Sequence, residues 1–185
     1  MERPDGTLVA EGSASVGRPG PVSHLYGVDL RPSDPSRLRI LAGVEPGTPL
    51  GHRASAPSAQ LRARIERGGL ADVLPWSLDS SPWGAPVANP SSVVHLLRDR
   101  RHEFGPHIGA AVGLFGAIEI RHHAGPVLLD QDYEVTGEVV AVGASPKTEY
   151  VWYDTQAHDD SGRLVVSMRM QLRWMKASSP LYAAP

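Results

Sequence analysis

The sequence predicts an α+β fold in which a curved antiparallel sheet wraps around one central helix, with an extension in front. Three observations predict it. In "LVVSMRMQLRW" the apolar residues Val166, Met168, Met170, Leu172 and Trp174 alternate with Ser167, Arg169, Gln171 and Arg173, the period of a half-buried strand. Three further candidate strands, "GLFGAIEIRHH", "DYEVTGEVVAV" and "TEYVWYDTQA", precede it in series, and short turns between them argue for an antiparallel meander. A short, largely apolar helix, "NPSSVVHLL", stands in front of these strands and needs a sheet that curves around it.

The elements follow in order. Residues 1–48 form an N-terminal extension rich in Gly, Pro and Ser, broken by the candidate strands "TLVAEG" and "LRILAG", and are expected as extra strands or an arm. The main domain is expected over 49–176 and a C-terminal tail over 177–185. "APSAQLRARIERGG" carries a Pro near its first turn and a Gly pair at its end, the punctuation of a short helix. The loop "LADVLPWSLDSSPWGAP" follows. In the next helix Asn89 is placed to cap and Pro90 to occupy the first helical position. In "DYEVTGEVVAV", Tyr133, Val135 and Val139 oppose Glu134, Thr136 and Glu138, and Asp159, Asp160, Ser161 and Gly162 supply the turn before the last strand.

A chain of 185 residues, 41% of them hydrophobic, builds one domain with a real core. The net charge of −2, with arginines scattered among acids, offers no basic stripe for nucleic acid. The absence of cysteine removes disulfides and thiolate chemistry and fits a cytoplasmic location. The start "MERPDGTLVAEGSASVGRPGP" lacks the pattern of a secretory signal, and no stretch approaches the roughly 20 apolar residues of a membrane span. A single curved sheet leaves edge strands that need covering, so a homodimer or a heterodimer with a similar subunit is expected.

A helix held inside a curved sheet is a hot-dog architecture, and at this point the sequence resembles the MaoC-like hot-dog family of (R)-specific enoyl-thioester hydratases and dehydratases. The resemblance covers about Pro49 to Met175. "WGAPVANP" resembles the family's "FGGRIAHG"-type approach to the central helix, with Asn89 where the family has His and Pro90 where it has Gly. The family's upstream D-x-N-P-x-H, whose Asp and His act on the water and the substrate α-proton, falls on "ERGGLA", so that Glu66 stands for the Asp and Ala71 for the His. The family's glycine N–H, which holds the thioester oxygen, is lost at Pro90, leaving Ser91 and Ser92 to offer N–H groups or hydroxyls. The resemblance therefore implies an acyl-thioester site whose usual acid–base pair is altered.

Hydration of a conjugated thioester needs a base for water, an acid for the α-carbon and donors for the developing oxyanion. Glu66 is a candidate repositioned base, and Asp72 is the acid nearest the position of the lost His. His95, one turn past Ser91 and Ser92, and His107, beside a small-residue run in "EFGPHIGAAVG", are candidate proton carriers. Asn89, Ser91 and Ser92 at the helix start, with Trp76 and Trp83 in the loop, are the candidate substrate contacts. No histidine shows metal-ligand spacing, and Gly109, Gly113 and Gly116 lead into a strand where a phosphate loop would leave one, so neither metal nor cofactor is predicted.

Three functions fit. The first is a hydratase or dehydratase acting on an acyl-CoA, an acyl carrier protein or a polyketide-like intermediate with a non-standard acid–base set. The second is the same scaffold turned to cyclisation or isomerisation of a small hydrophobic intermediate. The third is a non-catalytic acyl-binding subunit of a hydratase heterodimer, with a thioesterase as a weaker variant of the enzymes.

Overall fold

The computed structural model describes residues 5–7, 24–30, 34–70, 73–98, 104–105 and 108–183. Its elements in chain order are β1 (Pro49–Ser55), α1 (Ser58–Glu66), α2 (Pro90–Leu97), β2 (Gly113–His122), β3 (Asp132–Ala144), β4 (Thr148–His158) and β5 (Leu164–Met175), with short 3-10 turns between and after them. The strands form one antiparallel sheet in the order β1-β3-β4-β5-β2. This is the hot-dog fold that the pattern predicts: the sheet curves around α2. Irregular register at Phe115/Ala117 in β2 and Val139/Ala141 in β3 marks bulges, which bend a sheet and raise its twist.

α1 begins without a side-chain cap of its own, and the Asp130 carboxylate accepts from the Ser58 N–H at 2.8 Å instead. It ends in a Schellman motif. Gly68 takes φ +68°, a conformation that favours glycine, while the Gly68 N–H bonds the Ile65 carbonyl and the Gly69 N–H the Arg64 carbonyl, each at 2.9 Å. α2 begins at Asn89, whose side chain accepts from the Ser92 N–H at 2.9 Å, with Pro90 first in the helix. Val93, Leu96 and Leu97 recur at helical spacing and are buried, and each contributes on the order of 2 kcal/mol by leaving water. They meet an inner sheet face that includes Val135, Val139, Val151, Tyr153, Val166, Met168 and Met170.

The structure departs from the sequence expectations in four places. "LRILAG" is a turn and not a strand. Its Leu38, Ile40 and Leu41 are buried, and the N–H groups of Arg39, Ile40 and Leu41 all donate to the Glu149 carboxylate at 2.8–3.1 Å. β1 was not anticipated, because "PLGHRAS" carries little apolar content. The meander holds only for β3, β4 and β5, since β2 crosses to the far side and pairs with β5. β5 is therefore flanked on both sides, and the sheet edges are β1 and β2. Nor is β5 half-buried. Ser167, Arg169 and Gln171 on its outer face are covered as well, in part by residues 24–30, whose Tyr26 ring lies 3.8 Å from the Arg169 guanidinium. Of "TLVAEG", all but Thr7 lies outside the described residues. No helix among the described residues is long and apolar enough to cross a membrane.

Candidate functional site

The chain reaches α2 through a pinned segment. Val87 and Leu128 form an isolated antiparallel bridge, the Ala88 N–H bonds the Val127 carbonyl at 2.8 Å, and the Leu129 N–H bonds the Pro86 carbonyl at 2.8 Å. The Val87 N–H also bonds the Trp76 carbonyl at 2.8 Å, which ties the preceding loop to the same place. Asn89 is thus held at a fixed point before the helix begins.

Three side chains join there. Asn89 Oδ1 accepts from the Ser92 N–H at 2.9 Å and from Ser91 Oγ at 3.1 Å, and Ser91 Oγ in turn accepts from Arg64 Nη1 at 2.8 Å. Arg64 comes from α1, so this chain of hydrogen bonds bridges the two helices. The Ser91 hydroxyl and the Asn89 oxygen are thereby occupied, and the groups these bonds leave over are donors: the other N–H groups of the Arg64 guanidinium and the Asn89 amide N–H₂. Among the described residues no carboxylate lies within ion-pair distance of Arg64. Donors of this kind complement an oxygen that carries negative charge.

Ser92 stands beside Ser91, half-buried, and gives its N–H to the cap. His95 is half-buried on α2, one turn further on. Glu66 is exposed at the end of α1. Trp76 and Trp83 pack edge to face with ring centroids 5.7 Å apart, and both remain about half exposed on the loop before α2. Ala71, Asp72 and His107 lie outside the described residues. Cavities lined by described residues lie elsewhere, one of about 190 Å³ near Arg98, Phe104 and Trp174 and one of about 290 Å³ on the outer sheet face. Among the described residues no group of three or more His, Asp or Glu is arranged to hold a metal ion.

Arg64 is not among the residues that the sequence motifs single out. The signal that could have found it is its place in α1: Leu61 is buried, Ile65 packs on the core, and Arg64 at the third position after Leu61 shares their face. A cation on an inward helix face calls for a partner, and here the partner is a hydroxyl.

The chain has the hot-dog fold seen in solved MaoC-like dehydratases and (R)-hydratases. Among solved structures it is similar to the monoamine oxidase regulatory protein from Archaeoglobus fulgidus, with 17% identity and a TM-score of 0.57 over 73% of this chain and 93% of that one. It is similar to the (R)-hydratase PhaJ1 from Pseudomonas aeruginosa, with 21% identity and a TM-score of 0.52 over 71% of this chain and 83% of that one. It is also similar to the HadBC (3R)-hydroxyacyl-ACP dehydratase complex from Mycobacterium tuberculosis, with 18% identity and a TM-score of 0.55 over 69% of this chain and 95% of that one. No protein-family model matches the chain, and no curated protein matches it.

Proposed function

We propose that the protein is a hydro-lyase of the hydratase or dehydratase type, acting on an acyl thioester and holding the thioester oxygen with Arg64 and the start of α2. The observation that carries this is the Arg64–Ser91–Asn89 chain, a donor cluster with one cation placed where the fold opens its central helix. The activities in the names of the (R)-hydratase and the hydroxyacyl-ACP dehydratase of the same fold support the reaction type.

Adding water across a conjugated enoyl thioester moves electron density onto the thioester oxygen as the new C–O bond forms. Donors fixed before the reaction stabilise that charge, and one such donor is worth about 10²–10³ in rate. Pro90 has no N–H to give, and the Arg64 cation offsets that loss. For the proton transfers the sequence offers Asp72, His107, His95 and Glu66; removal of a general acid or base costs about 10²–10⁴ in rate. The substrate is a CoA or carrier-protein thioester, and the working unit is a dimer in the cytoplasm.

A second reading, an acyl-binding subunit without turnover, is favoured by one observation: the cluster at α2 holds donors, and among the described residues no carboxylate joins it. A panel of short- and medium-chain 2-enoyl and 3-hydroxyacyl thioesters, followed by enoyl absorbance and by calorimetry, separates the two. Turnover that drops at least 100-fold in Arg64→Gln and in His107→Ala supports the enzyme. Saturable binding without turnover supports the subunit, and failure to bind any thioester overturns both.

A further inference from the structure

On the outer face of the sheet, away from α2, the covering residues 24–30 leave a cavity of about 290 Å³. Its origin lies in the cross-strand pairs. Trp152 is opposite Ala141 and Tyr150 is opposite Gly143, so two large aromatic side chains on β4 have almost nothing beside them on β3. On the other side Gln171 is opposite Ala117, next to the β2 bulge at Gly116. The small residues on β3 leave a hollow beside the large ones on β4, and the space at Gly116 on the other side takes the Gln171 side chain.

The polar groups in this hollow are placed. Gln171 is 5% exposed, and its Oε1 accepts from Arg173 Nε at 2.7 Å. A Cβ at Gly116 would stand 2.3 Å from that Oε1 and 3.0 Å from that Nε, so the pair occupies space that only glycine provides. Gln171 engages the inner nitrogen of Arg173, and among the described residues nothing bonds its two Nη groups, the two-pronged end that matches a carboxylate. Among the described residues no carboxylate lies within ion-pair distance of Arg173. The Tyr150 ring lies 5.8 Å from the guanidinium, and the Trp152 side chain lines the cavity beside it. Val28 and Leu30 line the hollow from the side of residues 24–30, with the exposed Asp29 beside them disfavouring a second negative charge.

We infer that this cavity is a binding site for a small flat monocarboxylate, separate from the α2 site and independent of the function assigned there. The carboxylate pairs with the Nη groups of Arg173 and the flat body lies against Trp152 and Tyr150. The volume, near the roughly 300 Å³ at which ligand pockets begin, limits the occupant to a molecule about the size of one aromatic ring with its carboxylate.

The test uses benzoate as the probe and benzamide as its uncharged counterpart, titrated into the full chain by calorimetry and ligand-observed NMR. Benzoate is expected to bind saturably in the millimolar range, at least tenfold more tightly than benzamide. Arg173→Gln and the cavity-filling Ala141→Leu are each expected to weaken it at least tenfold, while Arg64→Gln leaves it unchanged. The benzamide comparison needs no variant, so the proposal stays testable if a substitution disturbs folding. Equal binding of the two probes, absence of saturable binding, or binding lost in Arg64→Gln and kept in Arg173→Gln would overturn it.

Discussion

Arg169 and Asp154 face each other across β5 and β4 in a two-pronged pair, Nε to Oδ1 and Nη2 to Oδ2, both at 2.7 Å. The Tyr26 ring lies 3.8 Å from the same guanidinium, Arg169 Nη1 donates to the Leu25 carbonyl at 3.4 Å, and the Leu25 N–H donates to Glu119 at 3.0 Å. A charge pair on the sheet thus holds residues 24–30 against the outer face. Their side chains are 11% and 23% exposed, so solvent screens the pair in part. Arg169→Met, which strands the Asp154 carboxylate, is expected to cost about 1–3 kcal/mol. For a chain of this size that lowers Tm by roughly 2–4 °C per kcal/mol. Amide exchange at Leu25 and Val28 should rise with it. A melting curve that matches the unmodified protein, with Leu25 still protected, would show that residues 24–30 are held by something else.

Glu149 and Tyr182 give stability a pH dependence at both ends of the scale. Burial pushes the Glu149 carboxyl up, but the Tyr182 hydroxyl and the N–H groups of Arg39, Leu41 and Ile40 outweigh it, and the net displacement is downward. A carboxyl whose folded value lies below its unfolded one contributes stability above about pH 4.3, and that stability is lost as pH falls through the folded value. Tyr182 is pushed up to about 12 by burial and by the neighbouring Glu149. Its contribution is complete below about pH 10 and is lost as pH rises toward 12. Denaturant unfolding across pH should show Glu149→Gln less stable than the unmodified protein at pH 7, with a shallower fall below about pH 4.3. Tyr182→Phe should flatten the alkaline limb. Parallel acid limbs in Glu149→Gln and the unmodified protein would mean that the acid loss arises elsewhere.

The helices and β2 to β5 were legible because their signals are local: a Pro and a Gly pair bracket α1, Asn89 and Pro90 open α2, and period-two alternation marks the strands. What alternation does not carry is which strand lies beside which, so β2 was placed next to β3 when it pairs with β5. β1 is an edge strand whose inward side chains are Leu50, His52 and Ala54; a histidine and an alanine give a weak stripe, and His52 finds its partner in the Leu96 carbonyl of α2 at 3.0 Å. "LRILAG" looked like a strand because its apolar residues are core residues. What makes it a turn is Glu149, 108 to 110 positions away, which no local pattern reveals. At the candidate site the capping role of Asn89 was visible in the residue type, whereas Arg64 meets Ser91 only after two helices have packed.

Asn89 offers a way to separate helix capping from ligand binding. Asn89→Ala removes the acceptor for the Ser92 N–H and for Ser91 Oγ and is expected to cost about 1 kcal/mol. Asn89→Asp keeps the cap and adds a negative charge at a helix N-terminus, which by itself stabilises by about 0.3–1 kcal/mol. The same charge neutralises the field of Arg64. Asn89→Asp should therefore melt at or above the unmodified protein and yet bind or turn over acyl thioesters at least tenfold less well. Thioester binding unchanged in Asn89→Asp would remove the α2 start from the site.

The two sheet edges differ in kind. β1 is short and carries Arg53, which faces Asp132 and Asp160, so its charge discourages pairing with another chain. β2 is a strand of 10 residues with Leu114, Phe115 and Ile118 each more than 40% exposed. An edge of that length and apolar content is a template for a further strand, and a second copy related by a two-fold axis satisfies both edges at once. The dimer is therefore expected to form through β2. Light scattering at micromolar concentration should give a dimer that Phe115→Glu and Ile118→Glu convert to a monomer and that Arg53→Glu leaves intact. A monomeric unmodified protein would remove the idea, and a dimer that survives both β2 substitutions but dissociates with Arg53→Glu would move the interface to β1.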